Sequence, residues 1–269
     1  MSLRKQLRDR FRERISQIAP MSLAELKSSA MVFSPHPDDE TLGCGGTIIR
    51  KCQTGAEVKI VFMTDGSRSH HRFMPEAKLI ELRQQEAVQA AECLGLTPAN
   101  VIFLDFRDCE LVRETAAATA WVQQLLWQNK PQQIFIPYTR ETHPDHLATN
   151  QIVLAALEEY SPEIAVYEYP VWYWHHFPWT TTGDRDSRLA YLKASIKAGF
   201  GRQLLQEFNY RVEIDRPVKE QKQLALAQHQ TQMKRLVDDP DWGLLKDAGN
   251  GEWLECFWQK FEIFRRTII

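Results

Sequence analysis

The sequence predicts an α/β fold, a doubly wound and mostly parallel sheet with helices on both faces, and three observations predict it. Short apolar runs alternate with helical periodicity along most of the chain, the pattern of strands covered on both faces by crossover helices. Glycine and proline punctuate the junctions. Two clusters rich in histidine and aspartate, Ser34-Pro35-His36-Pro37-Asp38-Asp39-Glu40 and His143-Pro144-Asp145-His146, each follow such an apolar run, where an open parallel sheet has its crevice.

In chain order, Leu3, Leu7, Phe11, Ile15 and Ile18 recur at three- and four-residue spacing among Arg4, Lys5, Arg8, Arg10, Arg12 and Arg14. Residues 1–20 therefore read as a basic amphipathic helix, suited to packing on its own body or on a neighbouring subunit, with a membrane surface as the other role. A first strand is expected over 30–34, then a glycine turn at Gly43, Gly45 and Gly46 and a helix to about residue 53, stopped by Gly55. A second strand over 57–63 runs into the turn Thr64-Asp65-Gly66-Ser67. Leu79, Leu82, Ala87, Ala90, Ala91 and Leu94 place a helix over 75–94.

Strands at 101–104 and 133–137 flank a helix over 114–128, and a helix over 145–159 follows the second cluster. A fifth strand over 164–169 leads into residues 172–179, the most aromatic stretch of the chain, with His175 and His176 read as surface groups. A helix over 186–198, a short strand over 210–214, a helix over 217–236 and a closing strand over 261–265 complete the pattern. The whole is expected to form one domain over residues 1–269 with a Rossmann-like sheet.

A net charge of −2 gives no global field that would draw the chain onto nucleic acid or anionic lipid, so a small molecule is the expected partner. Five cysteines without a C-x-x-C pair argue against a disulfide framework and against a cysteine zinc site. No apolar run is long enough to span a bilayer, and the chain reads as cytoplasmic. Homo-oligomerisation is left open.

The clusters supply His36, Asp38 and Asp39 from one loop and His143, Asp145 and His146 from the other. Two imidazoles and one carboxylate make a catalytic zinc set with a position open to water, and the same ligands also suit Fe2+. Of the adjacent aspartates, one can ligate and the other can take the proton of the attacking water. A histidine paired to a carboxylate, as His143 with Asp145, can stabilise a developing oxyanion.

These motifs resemble the LmbE-like, or PIG-L, zinc-dependent N-acetylglucosaminyl deacetylases: P-H-P-D-D-E after the first strand, H-P-D-H after the fourth, Thr64-Asp65-Gly66 after the second, and Arg83-Gln84-Gln85-Glu86 with Ala90 and Leu94-Gly95 on the helix between. Asp108-Cys109-Glu110-Leu111 and the later Lys222, His229 and Gln232 fit the same pattern. The resemblance implies His36, Asp39 and His146 as metal ligands, Asp38 as general base, His143 on the oxyanion side and Asp145 as its tuning partner. It implies that Arg83 and Asp108 touch the sugar or its attached group, the alternatives being a surface ion pair of Arg83 with Glu86 and a turn role for Asp108.

Glu40 is expected to support the site without ligating. The aromatic stretch is read as an acceptor-site wall or as packing. The expected function is a metal-dependent hydrolase that removes the acetyl group of an N-acetylglucosamine-type sugar or conjugate. The alternatives are a zinc amidase acting on a larger amide of an amino-sugar conjugate and a non-catalytic metal-dependent carbohydrate-binding protein. A dinucleotide site at Gly43-Cys44-Gly45-Gly46 is disfavoured, because Ile48 stands where G-x-G-x-x-G needs its last glycine.

Overall fold

The computed structural model describes residues 2–160, 162–183 and 187–269. Helix α1 (Leu3–Ser16) and the short α2 (Leu23–Lys27) precede β1 (Ala30–Ser34), α3 (Asp39–Gln53) and β2 (Val58–Thr64). Next come α4 (Glu76–Leu94), β3 (Val101–Phe106), α5 (Thr115–Asn129), β4 (Gln133–Pro137), α6 (Pro144–Glu158) and β5 (Ala165–Tyr169). The C-terminal part holds α7 (Arg188–Lys197), α8 (Arg202–Glu207), β6 (Tyr210–Glu213), α9 (Arg216–Gln228), α10 (Gln230–Met233), α11 (Glu252–Glu255) and β7 (Phe261–Ile268). The expected start of α7, at residue 186, lies outside the described residues.

The strands form one seven-stranded sheet in the order β3-β2-β1-β4-β5-β7-β6. Pairs from β3 to β5 are parallel, whereas β7 runs antiparallel to both β5 and β6. Side chains alternate along β1: Val32 packs with Ile60, Phe62 and Phe135 on one face, Met31 and Phe33 with Val61, Ile134 and Ile136 on the other. Both faces are apolar, so helices must cover both. Helices α5 and α6 cover the second face; α3, α4, α9 and α1 lie over the first.

Three expectations need correction. The glycine turn is absent, because Gly43, Gly45 and Gly46 lie within α3. They serve close approach instead: a Cβ at Gly43 would sit 2.2 Å from the Tyr169 ring, and one at Gly46 would sit 2.2 Å from Ile214. The late helix breaks at His229 (φ −72°, ψ 64°), dividing α9 from α10, because the His229 ring turns inward to Glu40. His176 is buried, not superficial, with Nδ1 on the Tyr173 carbonyl.

The N-terminal helix packs on the protein's own body. Phe11 and Ile15 are buried, and Phe11 meets the rings of Trp174 and Trp179 at 5.9 and 4.3 Å. Arg4 and Arg8 donate to the carbonyls of Pro178 and Trp179 and pair with Glu252.

Candidate active site

The first cluster is a turn built by its own side chains. Ser34 Oγ donates to the His36 carbonyl at 2.7 Å and accepts from the Glu40 amide at 3.0 Å. Glu40 is fully buried: Oε2 accepts the Asp38 amide at 2.9 Å, and Oε1 accepts from the Thr41 hydroxyl at 2.6 Å and faces His229 Nε2 at 3.0 Å. Asp38 is thereby held at φ 136°, ψ −31°, a conformation that costs a side-chain-bearing residue about 1–3 kcal/mol. Its Oδ2 meets Arg83 Nη2 at 3.3 Å, and Arg83 also donates to the carbonyls of Pro37 and Gly66. Gly66 (φ 65°) has to be glycine, since a Cβ there would lie 2.8 Å from Arg83 Nη1.

The second cluster opens α6, with His143 as N-cap and Pro144 at the first helical position. Asp39 Oδ2 lies 3.1 Å from His36 Nδ1 and 3.1 Å from His146 Nε2. One carboxylate oxygen thus has an imidazole from each loop beside it. The nitrogens of His36, His143 and His146 can be chosen to lie within 4.8 Å of one another, as can ligand atoms of His36, Asp108 and Asp145.

His146 tests whether this set fits a cation. It is wholly buried between Asp39 and Glu141 (Nδ1 to Oε2 3.4 Å), yet neither nitrogen has an aligned hydrogen-bond partner. Asp145 Oδ1 is likewise unpartnered. Close carboxylates with poor hydrogen-bond angles suit lone pairs aimed at a metal, so the donor set fits a divalent cation held by histidine and aspartate.

Of the eight sequence-predicted residues, His36, Asp38, Asp39, Arg83, Asp108 and His143 line one cavity of about 190 Å³, together with Trp172, Trp253 and Gln232. Asp145 and His146 stand behind its wall. A larger cleft of about 750 Å³, beside α1 and the C-terminal segment, contains none of the eight, so volume alone does not locate the chemistry.

Burial and then the adjacent Asp39 charge push the Asp38 carboxyl up, with Arg83 opposing. Burial also works to raise Asp39, but His146 and His36 hold it well below the usual carboxylate range. Burial disfavours protonation of His146, yet Asp39 and Glu141 draw its pKa up to about 9. Burial and the neighbouring His36 and His146 push His143 down.

The geometry revises two pairings. Asp145 Oδ2 reaches His36 Nε2 at 3.2 Å and the Cys109 amide at 2.7 Å, rather than the His143 ring. The Asp145 backbone amide is what bonds His143 Nδ1, at 3.3 Å, because the two residues share the first turn of α6. An Nδ1 that accepts puts the ring proton on Nε2. Arg83 is buried on Asp38, not paired with Glu86 at the surface; Glu86 instead accepts from the amide and hydroxyl of Thr231 at 2.9 and 2.7 Å. Asp108 accepts the Arg68 amide at 3.0 Å and lies 3.3 Å from His36 Nε2.

Glu141 was not anticipated. Fully buried, it accepts from the amides of Val171 (2.7 Å), Trp172 (2.8 Å) and Tyr173 (3.2 Å) while abutting His146, and so joins a candidate ligand to the aromatic segment. Trp172 stacks on Trp253 with centroids 4.4 Å apart. The segment therefore gives the cavity its aromatic wall and packs α1 as well.

Residues 31–157 match the family model described as PIG-L: GlcNAc-PI de-N-acetylase. The uncharacterized deacetylase YaiS of Escherichia coli (strain K12) is 24% identical over 163 residues, 59% of this chain and 83% of that protein. The diacetylchitobiose deacetylase of Thermococcus kodakarensis is 31% identical over 120 residues, but the match spans only 44% of its length and 43% of this chain. The solved N,N'-diacetylchitobiose deacetylase of Pyrococcus horikoshii superposes with a TM-score of 0.63 at 20% identity, over 99% of this chain and 93% of that one, a likeness of fold. The match to that family model thus runs from β1 into α6 and takes in both clusters.

Proposed function

We propose that this protein is a metal-dependent N-deacetylase that hydrolyses the acetamido group of an N-acetylglucosamine-type sugar or conjugate to a free amine and acetate, with residues 1–269 working as one domain. One observation carries the reading: Asp39 Oδ2 lies 3.1 Å from an imidazole of each loop, while the adjacent Asp38, facing the same cavity, is held by Arg83 instead. The relatives' names as deacetylases support it. The ligands are His36, Asp39 and His146, and the metal is zinc, with Fe2+ as the alternative that the same donors suit.

When bound, the metal supplies Lewis acidity to the amide carbonyl and to a water. Asp38 removes the proton of the attacking water and delivers it to the departing amine nitrogen, a task for which its raised pKa suits it. Arg83 keeps the Asp38 carboxylate turned into the cavity. His143, neutral with its proton on Nε2, donates to the carbonyl oxygen as negative charge develops. Asp108 and the Trp172–Trp253 stack contact the sugar. A cavity of about 190 Å³ takes the acetamido end and leaves the remainder of the substrate at the mouth.

The test is acetate and amine release from a panel of N-acetylglucosamine conjugates, with metal content measured on the same samples. Asp38→Asn is expected to keep its metal and lose turnover by about 10²–10⁴-fold. Full turnover in a metal-loaded Asp38→Asn protein would remove Asp38 from the role of base. Release of a larger acid would indicate the amidase reading, and sugar binding without any acid released would indicate a carbohydrate-binding protein.

A further inference from the structure

Helix α7 is amphipathic twice over. Its inner face is tied down: the Tyr191 hydroxyl donates to the Thr180 carbonyl, Ser195 Oγ accepts from the Phe177 amide at 3.1 Å, and Ala198 just beyond is buried. Its outer face carries Leu189, Leu192 and Ile196, which are 63%, 51% and 59% exposed, and Phe200, beyond the helix end, is 49% exposed. Spacings of three and four put Leu189, Leu192 and Ile196 in one row, while Phe200 (φ 53°, ψ 44°) lies outside that periodicity. Exposed apolar residues scattered singly are ordinary, but a row on one helix is not.

Cations border the row. On the helical projection Arg188 falls on one side and Lys193 and Lys197 on the other, and the sequence RLAYLKASIK contains no acidic residue. We infer that α7 is an interfacial helix that docks the protein on an anionic lipid bilayer, with the leucine–isoleucine row entering between headgroups and the flanking cations meeting lipid phosphates. A second copy of the chain fits less well. Two α7 helices face to face would set three positive charges against three, and a ten-residue helix offers far less than the roughly 800 Å² per partner of a stable interface. The mode is lying on the bilayer, since no helix among the described residues is long and apolar enough to cross one. The basic N-terminal helix is not this surface, because its Phe11 and Ile15 are buried in the core.

The bonds from Tyr191 and Ser195 run to the segment that also supplies Trp172 to the cavity wall. Helix α7 is thereby tied to the segment that supplies the aromatic wall.

Vesicle co-sedimentation of the full chain tests this, using phosphatidylcholine alone and phosphatidylcholine mixed with phosphatidylglycerol. The wild type is expected to sediment with the mixed vesicles and not with the neutral ones, and to be released by high salt. Lys193→Gln/Lys197→Gln should bind about tenfold or more weakly, and Leu192→Glu/Ile196→Glu should not bind, both with unchanged circular dichroism and oligomeric state. Failure of the wild type to bind the mixed vesicles would overturn the inference, as would equal binding by the folded Leu192→Glu/Ile196→Glu variant. A wild-type dimer that this variant converts to monomer would also overturn it, because a second copy would then cover the row.

Discussion

Asp38 sits in a backbone conformation that side chains seldom adopt (φ 136°), and the groups holding it there are all buried: Glu40 on its amide, Arg83 on its carboxylate, and His229 behind Glu40. The strained backbone goes with different partners for the adjacent aspartates, Asp38 meeting Arg83 and Asp39 meeting His36 and His146, as the proposed division of base and ligand requires. His176 shows burial acting on a single titratable group outside the site. Burial lowers its pKa from 6.5 to about 4, while its bond to the Tyr173 carbonyl works the other way. The folded state therefore refuses a proton that the unfolded chain accepts between those values. Stability conferred by the neutral ring is complete above about pH 6.5, falls as the pH drops through this window, and is lost by about pH 4, for a total of about 3 kcal/mol. Urea unfolding across that range should show the decline in the wild type, and His176→Asn, which keeps a donor but does not titrate, should lack this component. Parallel curves for the two proteins would contradict the assignment. The adjacent histidines in sequence gave no hint of this, because the turn that buries His176 is held to α7 by its neighbour Phe177, whose amide donates to Ser195 Oγ, a contact that no local pattern encodes.

At the scale of elements, α3 is where local propensity misleads. Three glycines in four residues read as a turn, yet they extend the helix because Tyr169 and Ile214 come too close for any side chain. The same stretch exposes backbone to a buried carboxylate: Glu262 on β7 accepts the amides of Gly46 and Thr47, each at 2.8 Å, and pairs with Lys222 of α9 at 2.7 Å. Lys222 also donates to the Leu42 carbonyl at 2.8 Å. One ion pair thereby ties α3, which begins at Asp39, to the antiparallel edge and to α9. Removing one partner leaves the other charged and buried, so Glu262→Ala should cost about 3–5 kcal/mol in chemical unfolding. Lys222→Met/Glu262→Leu should cost clearly less than the sum of its single changes. Additive losses would show that the two groups act independently. The strands and most helices were legible because their periodicity is local. The tie was not, because its members are separated by tens to hundreds of residues and only the folded sheet brings them together.

For the whole molecule, strand order decides where chemistry can occur. The chain winds outward from β1 to β2 and β3, then returns to place β4 on the other side of β1, so the carboxyl ends of β1 and β4 flank the crevice where the winding reverses. The two His/Asp clusters follow those two strands. This is why the site could be read from sequence as two halves, and why its third dimension could not: Glu141, Trp172 and Trp253 reach it from the loop before α6, the segment after β5 and the C-terminal part. It also means that a cation held by His36, Asp39 and His146 would bridge the two halves of the sheet and bind the folded chain far better than the unfolded one. Mass action then predicts about 2.7 kcal/mol of stabilisation at a free metal concentration 100 times the dissociation constant. For a chain of this size that corresponds to a rise in Tm of about 5 °C. Calorimetry of the wild type with and without added zinc should show the rise, and His146→Ala, which removes the ligand from the second half, should lose it while a remote Leu224→Ala keeps it. An equal rise in His146→Ala would place the stabilising cation elsewhere and leave the bridge between β1 and β4 without support.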